Sequence, residues 1–257
     1  MNKNKTILIT GASGNLGAKL RKHLQDRYPI RLIDIDSRNE REIIQADLSI
    51  WNEEWVKLFQ GVDTVVHFAA DPDPNKSWDE LMQPNIDAAI NVFHASGIKK
   101  VKRIVFASSN HVMGGYKDKN EPKVITTDLP PLPGTHHTSH GRKHDSTPYG
   151  SAKFLIERLG KCYAEIYGME VIAVRIGWNL HGENRPEDIF KGCEEWFRLM
   201  WLSNRDFCHL MERCIEAEVS DNFVVVNGMS ANTGMRWDIG YTKKTVGYQP
   251  ADDVTRG

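Results

Sequence analysis

Apolar residues along this chain fall into short β-branched runs that alternate with stretches of helical spacing. KTILIT (5–10) is the first run and ends in glycine; over 15–26 the leucines Leu16, Leu20 and Leu24 then share one helical face. IRLIDID (30–36) and EIIQAD (42–47) read as strands, WNEEWVKLF (51–59) as a helix and DTVVHFAA (63–70) as a buried strand. A helix over 78–96, the strand VKRIVFASS (101–109), a helix over 148–167 and the strand MEVIAVRIG (169–177) continue the alternation. A polar, proline-rich interval, 115–147, interrupts it. Strands alternating with helices predict parallel βαβ units and an α/β fold of the doubly wound, Rossmann type.

Beyond residue 177 the pattern changes. A tryptophan-rich stretch leads to a helix over 204–218, a strand NFVVVN (222–227) and a polar tail. The expectation is a core over 1–177 and a small substrate lobe over 178–257, too short to fold as an independent domain.

Composition narrows the class. The 257 residues carry 33 Lys and Arg against 34 Asp and Glu, a formal net charge of −1, so bulk electrostatics point to no nucleic-acid or membrane partner. No apolar run approaches the ~18 residues of a spanning helix, and the start turns straight into a strand without a leader-like apolar core. The four cysteines form no C-x-x-C pair and read as thiols of a cytoplasmic protein.

The first chemical signal is TGASGNLG, with Gly11, Gly14 and Gly17 directly after the first strand and at the start of the first helix. Glycines there permit a tight turn and the close approach of a pyrophosphate held by the helix N-terminus. A bland strand-to-helix turn also favours glycine, so the triplet alone is weak. Asp34 at the end of the second strand strengthens it: a carboxylate there accepts from both adenosine ribose hydroxyls and repels a 2′-phosphate, which favours NAD over NADP. Arg38 nearby is a phosphate partner for the opposite choice. Asp47 and Leu48 would flank the adenine; the plainer alternative is a cap for the helix at Trp51.

The second signal is YGSAK, which places Tyr149 and Lys153 one turn apart on a single helical face. A free tyrosine has a pKa of about 10, and bringing it to roughly 7 needs about 4 kcal/mol of differential interaction, which a nearby ammonium and a cationic cofactor ring would supply. Y-x-x-x-K occurs by chance in many helices. Here it follows a strand whose Ser109 can bond the same substrate oxygen, and Asn85, which can position the lysine through a water.

Taken in order, TGxxGxxG, Asp34, ADL, HFAA, PNIDA, FASSNH and YGSAK resemble an extended short-chain dehydrogenase/reductase over essentially the whole chain. The resemblance implies NAD as cofactor, held by Gly11, Ser13, Gly14, Asn15, Leu16, Gly17, Asp34, Asp47, Leu48, Phe68, Ala69, Ala70, Asn85 and Lys153. It implies Ser109, Tyr149 and Lys153 as catalytic residues. RIVFASSNHVMGGY, AVRIG and MWLSNRDFCHLMERCIEAE are similar to a narrower group, the uronate dehydrogenases and related aldose dehydrogenases for glucose 6-phosphate or sulfoquinovose. These oxidise the anomeric carbon of a pyranose to a lactone. A small-molecule sugar substrate, contacted by Asn110, His111, Arg142 and Arg198, is what this implies, with a homo-oligomer left open and no metal.

Three departures bear on the substrate. The stretch between Ser109 and Tyr149 is much longer than in uronate dehydrogenases and contains HHTSHGRKHD. Asp71-Pro72-Asp73 stands where they have a serine. Arg198 is the nearest candidate for their carboxylate-binding arginine, at a different spacing. Arg142 and Lys143 would meet an anionic substituent, or form a solvated charge cluster. His136, His137, His140 and His144 have the chemistry of a metal site, but a solvated loop is the plainer account. Trp196 and Trp201 would stack on a sugar or pack the lobe. Two rivals stay open: a nucleotide-sugar epimerase or dehydratase, and an NAD-binding protein without turnover.

Overall fold

The β-branched runs pair side by side, all parallel. The structure, a computed structural model, describes residues 5–139, 142–189 and 192–256, the side chains of Ser139 and Arg142 aside. Strands β1 (Ile7–Thr10), β2 (Ile30–Asp34), β3 (Ile43–Gln45), β4 (Thr64–His67) and β5 (Arg103–Ser109) lie in the order β3-β2-β1-β4-β5. A two-stranded antiparallel hairpin, β6 (His136–Ser139) and β7 (Arg142–Asp145), stands outside that sheet. Strand β8 (Glu170–Ile176) pairs with β5, and β9 (Phe223–Gly228) pairs with β8 as the seventh strand. The order reverses between β1 and β4, so a crevice opens at their carboxyl ends, where α/β sheets of this kind bind ligands.

Successive side chains on each strand enter opposite cores, as a period of two requires. Ile7 and Ile9 of β1, Val105 and Ala107 of β5, and Ile172 and Val174 of β8 face one core. Leu8, Ile104, Phe106, Val171 and Ala173 face the other. Helix α1 (Asn15–Leu24) brings Leu20 and Leu24 to the first core. On the second, α2 (Glu53–Val56) is followed by a 3₁₀ turn, Lys57–Phe59. Helices α3 (Trp78–Leu81) and α4 (Ala88–Ile98) join through a π turn, Met82–Asp87, inside the single helix that the spacing predicts. Helix α5 (Thr147–Tyr167) has Pro148 in its first turn, where a missing N–H is harmless, and stops at Gly168 with φ 65°.

The boundary expected at residue 177 does not divide the molecule in this way. β9 belongs to the main sheet, and α7 (Asn204–Glu216) packs Phe207, Leu210, Met211 and Cys214 into the first core beside α1. Around the crevice a separate apolar cluster draws Val112, Met113, Tyr116 and Ile125 together with Met200, Met229, Trp237 and Ile239. The stretches before and after β9 therefore share their core with the long polar interval, whose Ile125 bridges to Trp237. Short helices α6 (Glu195–Leu199) and α8 (Gly240–Val246) complete this part. Among the described residues no helix is long and apolar enough to cross a membrane.

Candidate active site

The glycine turn is shaped by close approach. Gly11 has φ +69°, and a Cβ there would lie 2.6 Å from the backbone nitrogen of Ala69, in the segment that leaves β4. A Cβ on Gly17 would lie 2.1 Å from the Gly11 carbonyl oxygen. On Gly14 it would meet only that same oxygen, at 3.3 Å. Gly14 is the N-cap of α1 and offers no side-chain cap, so the first N–H groups of the helix are free for an anion. A pyrophosphate fits this cradle.

Asp34 is buried at the tip of β2. Its Oδ2 accepts from the backbone N–H of Ser13 at 2.8 Å and its Oδ1 from that of Asp36 at 3.2 Å. The carboxylate thus braces the glycine turn and closes the crevice on the side where an adenosine ribose would lie. Across the switch point, Thr10 Oγ1 and His67 Nδ1 are 2.7 Å apart, and Ala69 N–H donates to the same hydroxyl at 3.3 Å. Burial, and secondarily the Lys153 charge, push the His67 imidazole down to about 3, so it is neutral at physiological pH.

Several other cofactor candidates have structural partners. Asn15 donates to the Asn179 carbonyl at 3.0 Å, tying α1 to the loop after β8; Lys19 joins it on Asn179 Oδ1 at 2.8 Å. Leu16 and Phe68 pack against the first core, and Phe68 meets Phe207 with ring centres 5.9 Å apart. Leu48 is buried in the second core. Asp47 binds Ser49 through Oδ1, at 2.9 Å from its N–H and 2.6 Å from its hydroxyl, while Asn52 caps α2. Asn85, buried within the π turn, uses both ends of its amide on the backbone of Asp71, at 2.7 and 3.1 Å. It therefore fixes the rim that follows Phe68, Ala69 and Ala70.

Ser109, Tyr149 and Lys153 do converge. Ser109 closes β5; its hydroxyl accepts the His111 N–H at 3.2 Å and lowers the pKa of Tyr149. Lys153, one turn along α5, donates to the Ala107 carbonyl at 3.0 Å and stands 5.6 Å from the Tyr149 ring centre. Without cofactor, burial governs the charge balance of the pair. Burial pushes Tyr149 up to about 12, against the lowering effect of the Ser109 hydrogen bond; the carboxylates of Asp71 and Asp73 add to the rise. Burial brings Lys153 down to about 8. In the chain alone, desolvation is the largest cause for both groups.

His111 stands edge-on to Tyr149, ring centres 5.5 Å apart. Its Nδ1 lies 2.7 Å from Ser146 Oγ and 3.3 Å from Thr135 Oγ1, which aims the other ring nitrogen elsewhere. Burial, then His137, bring it down to about 4. Asn110 donates to the Ile176 carbonyl at 3.1 Å, and its Oδ1 is buried with no partner among the described residues. Arg198 lies half-buried on α6, and Lys143 is exposed on β7 opposite Thr138. The side chain of Arg142 and the whole of His140 lie outside the described residues. Among the described residues no three His, Cys, Asp or Glu side chains converge to hold a metal. Trp196 and Trp201 pack into the apolar clusters at the crevice.

Sequence spacing did not reveal Thr10 with His67, the Asn15–Asn179 tie, or Thr135 and Ser146. Nor did it reveal Glu157. That carboxylate sits one turn beyond Lys153, binds Ser108 Oγ at 2.5 Å and pairs with buried Arg175 at 2.9 and 2.8 Å. Its i+4 offset from Lys153 was the available signal.

Residues 7–192 match the model of the NAD dependent epimerase/dehydratase family. The chain is 33% identical over 260 residues to the L-arabinose 1-dehydrogenase (NAD(P)(+)) of Haloferax volcanii, covering 96% of each protein. It is equally 33% identical to the NAD-dependent glucose-6-phosphate dehydrogenase of that organism, covering 97% of this chain and 94% of the other. A mutant uronate dehydrogenase of Agrobacterium tumefaciens, complexed with NAD, superimposes with a TM-score of 0.76 at 28% identity, covering 98% of this chain and 86% of that one.

Proposed function

Because this chain belongs to the NAD dependent epimerase/dehydratase family, as an NAD-dependent oxidoreductase acting on a CH–OH group, we propose that it oxidises the anomeric carbon of an aldopyranose to the lactone. The observation that carries the reading is the convergence of Ser109, Tyr149 and Lys153 at the carboxyl edge of the sheet, beside a glycine cradle that fits a pyrophosphate. Gly11, Gly14 and Gly17 with the N-terminus of α1 would hold that pyrophosphate, and Asp34 the ribose. Bound there, NAD supplies the hydride acceptor and a positive ring near the tyrosine.

The chain's own residues handle the proton. Tyr149 takes it from the anomeric hydroxyl as general base, and Ser109 orients the oxygen through its hydroxyl. Lys153 favours the phenolate and is steered by the Ala107 carbonyl. Asn110 and His111 meet neighbouring hydroxyls. Asn85 keeps the rim at Asp71 in place.

The finer form of the proposal is an anionic aldose, acidic, phosphorylated or sulfonated. It is supported by the glucose 6-phosphate and uronate relatives and by the basic residues Arg142 and Lys143 of β7 and Arg198 of α6. Turnover of neutral and anionic aldoses by the wild type and by Arg142→Ala, Lys143→Ala and Arg198→Ala tests this form. A charge-assisted contact is worth about 1.5–3 kcal/mol, so one of the three changes is expected to raise KM for the anionic sugar roughly 10- to 100-fold. No selective effect in any of them would remove the anion site. Net NADH formed from a free sugar distinguishes the dehydrogenase from an epimerase, which returns its cofactor unchanged.

A further inference from the structure

The interval between Ser109 and Tyr149 is not a solvated loop at its base. Thr135 N–H donates to Ser146 Oγ at 2.8 Å, and the hydroxyls of the two residues lie 2.9 Å apart, closing the β6–β7 hairpin directly beneath His111. Two further contacts hold it across the crevice. His144 Nδ1 lies 2.7 Å from Asn75 Oδ1, in the rim that follows β4. His137 lies against Phe197 of α6, ring centres 5.0 Å apart. The hairpin therefore spans from the catalytic helix to the opposite lip.

Beneath the hairpin Tyr149 meets His111 edge-on at 5.5 Å, and within it His137 stacks on His144 at 4.8 Å and 14°. His144 uses Nδ1 on Asn75. His137 does not do the equivalent: its Nδ1 is buried and has no partner among the described residues. A buried polar atom without a partner is costly and uncommon, so the ring gains by turning it toward a ligand hydroxyl at the crevice.

We propose that the β6–β7 hairpin roofs the substrate crevice and that His137 is its specificity-determining residue, hydrogen-bonding a ring hydroxyl of the sugar farther from Tyr149 than the one His111 meets. This rests on the dehydrogenase reading above and names what selects the sugar. Burial lowers the His137 pKa, His144 and Lys117 lower it further, and only Glu194 opposes them. A neutral imidazole offers one donor and one acceptor, which suits a hydroxyl that can both give and accept a hydrogen bond. It reads a hydroxyl that neutral and anionic aldoses share, so it acts independently of any anion contact. The Lys117–Glu194 ion pair, 2.8 Å long, ties the 3₁₀ run after β5 to the approach to α6.

The test uses the full chain with NAD and a panel of aldoses together with their single-position deoxy analogues. His137→Phe keeps a ring to stack on His144 and Phe197 but removes both nitrogens. His137→Gln restores a donor and an acceptor. The expected result for His137→Phe is a KM raised about 10-fold for the preferred aldose, with NAD affinity and melting temperature unchanged. The penalty should vanish for one deoxy analogue, the one that lacks the hydroxyl His137 reads, and His137→Gln should recover part of the loss. Equal KM values for wild type and His137→Phe on every sugar would overturn the assignment. So would a loss of the same size on the aldose and on all its deoxy analogues, which marks a packing role only. If the wild type oxidises no aldose at all, the dehydrogenase reading fails and this one with it; failure of the His137 comparison alone leaves that reading standing.

Discussion

The Lys153 ammonium stands 5.6 Å from the centre of the Tyr149 ring and donates to the Ala107 carbonyl at 3.0 Å. The pair is close enough to interact, yet burial dominates both members, raising the phenol to about 12 and lowering the ammonium to about 8. A phenol whose pKa lies above its unfolded value of about 10 stays protonated at neutral pH in the cofactor-free chain. An ultraviolet difference titration of wild type against Tyr149→Phe is therefore expected to show no phenolate from Tyr149 up to pH 10. Ionisation below pH 9 without cofactor would mean that the ammonium already controls the phenol. The linkage has a matching sign. A phenol with a raised folded pKa contributes stability below the unfolded value of about 10, and loses it as pH rises toward about 12.

Removal of the hydroxyl tests the base directly. Tyr149→Phe is expected to lower kcat by on the order of 100-fold or more, because proton transfer then has no acceptor. NAD affinity, measured by calorimetry, should hold, since the glycine cradle is built from α1 and the ends of β1 and β4. A near-wild-type rate would take the tyrosine out of the mechanism.

The glycines differ in what each tolerates. Gly17→Ala places a methyl 2.1 Å from the Gly11 carbonyl and should unsettle the fold itself, lowering the melting temperature without any ligand. Gly14→Ala meets only one atom, at 3.3 Å, and should leave the ligand-free melting temperature near wild type while weakening NAD. Thermal melts of both variants, with and without NAD, check the distinction; equal behaviour would refute it.

Asp34 carries two roles. Beyond the ribose contact proposed for it, its carboxylate accepts the Ser13 N–H at 2.8 Å. Asp34→Ala is expected to weaken NAD and narrow the gap to NADP, because the charge that repels a 2′-phosphate is gone. The ratio of kcat/KM for the two cofactors reports this. Equal efficiency with both in the unmutated chain would contradict the assignment.

Glu157 and Arg175, each only 2–3% exposed, form a buried pair that also holds Ser108, the neighbour of Ser109. Glu157→Ala leaves the guanidinium buried and unpaired, which typically costs roughly 3–5 kcal/mol. Urea unfolding should show that loss, and Arg175→Met in the same background should recover much of it. A loss below about 1 kcal/mol would mean that water reaches the pair.

Much of this was legible in the sequence where apolar periodicity met fixed chemistry. The strands through β5, the glycine turn, Asp34 and the helix carrying Tyr149 and Lys153 all fall where the spacing places them. The π turn did not show, because Leu81, Ile86, Ala89, Val92 and Phe93 keep near-helical spacing across it. The β6–β7 hairpin did not show either: HHTSHGRKHD is polar on both strand faces, so it has no alternation to read. The place of β9 was hidden for another reason. NFVVVN reads as a strand, but 46 residues separate Ile176 from Phe223, and only the fold brings that strand back to β8. The high pKa of Tyr149 in the cofactor-free chain did not show, because sequence displays the lysine and not the depth of burial.

The most direct measurement of the central claim is NADH absorbance on mixing the purified chain with NAD and a panel of free aldoses, neutral, acidic, phosphorylated and sulfonated, with the product analysed for lactone. The expected result is NADH formed one-for-one with lactone from at least one aldose, and at least about 100-fold more slowly with Tyr149→Phe. No net NADH from any free sugar, together with interconversion of a nucleotide sugar, would contradict it.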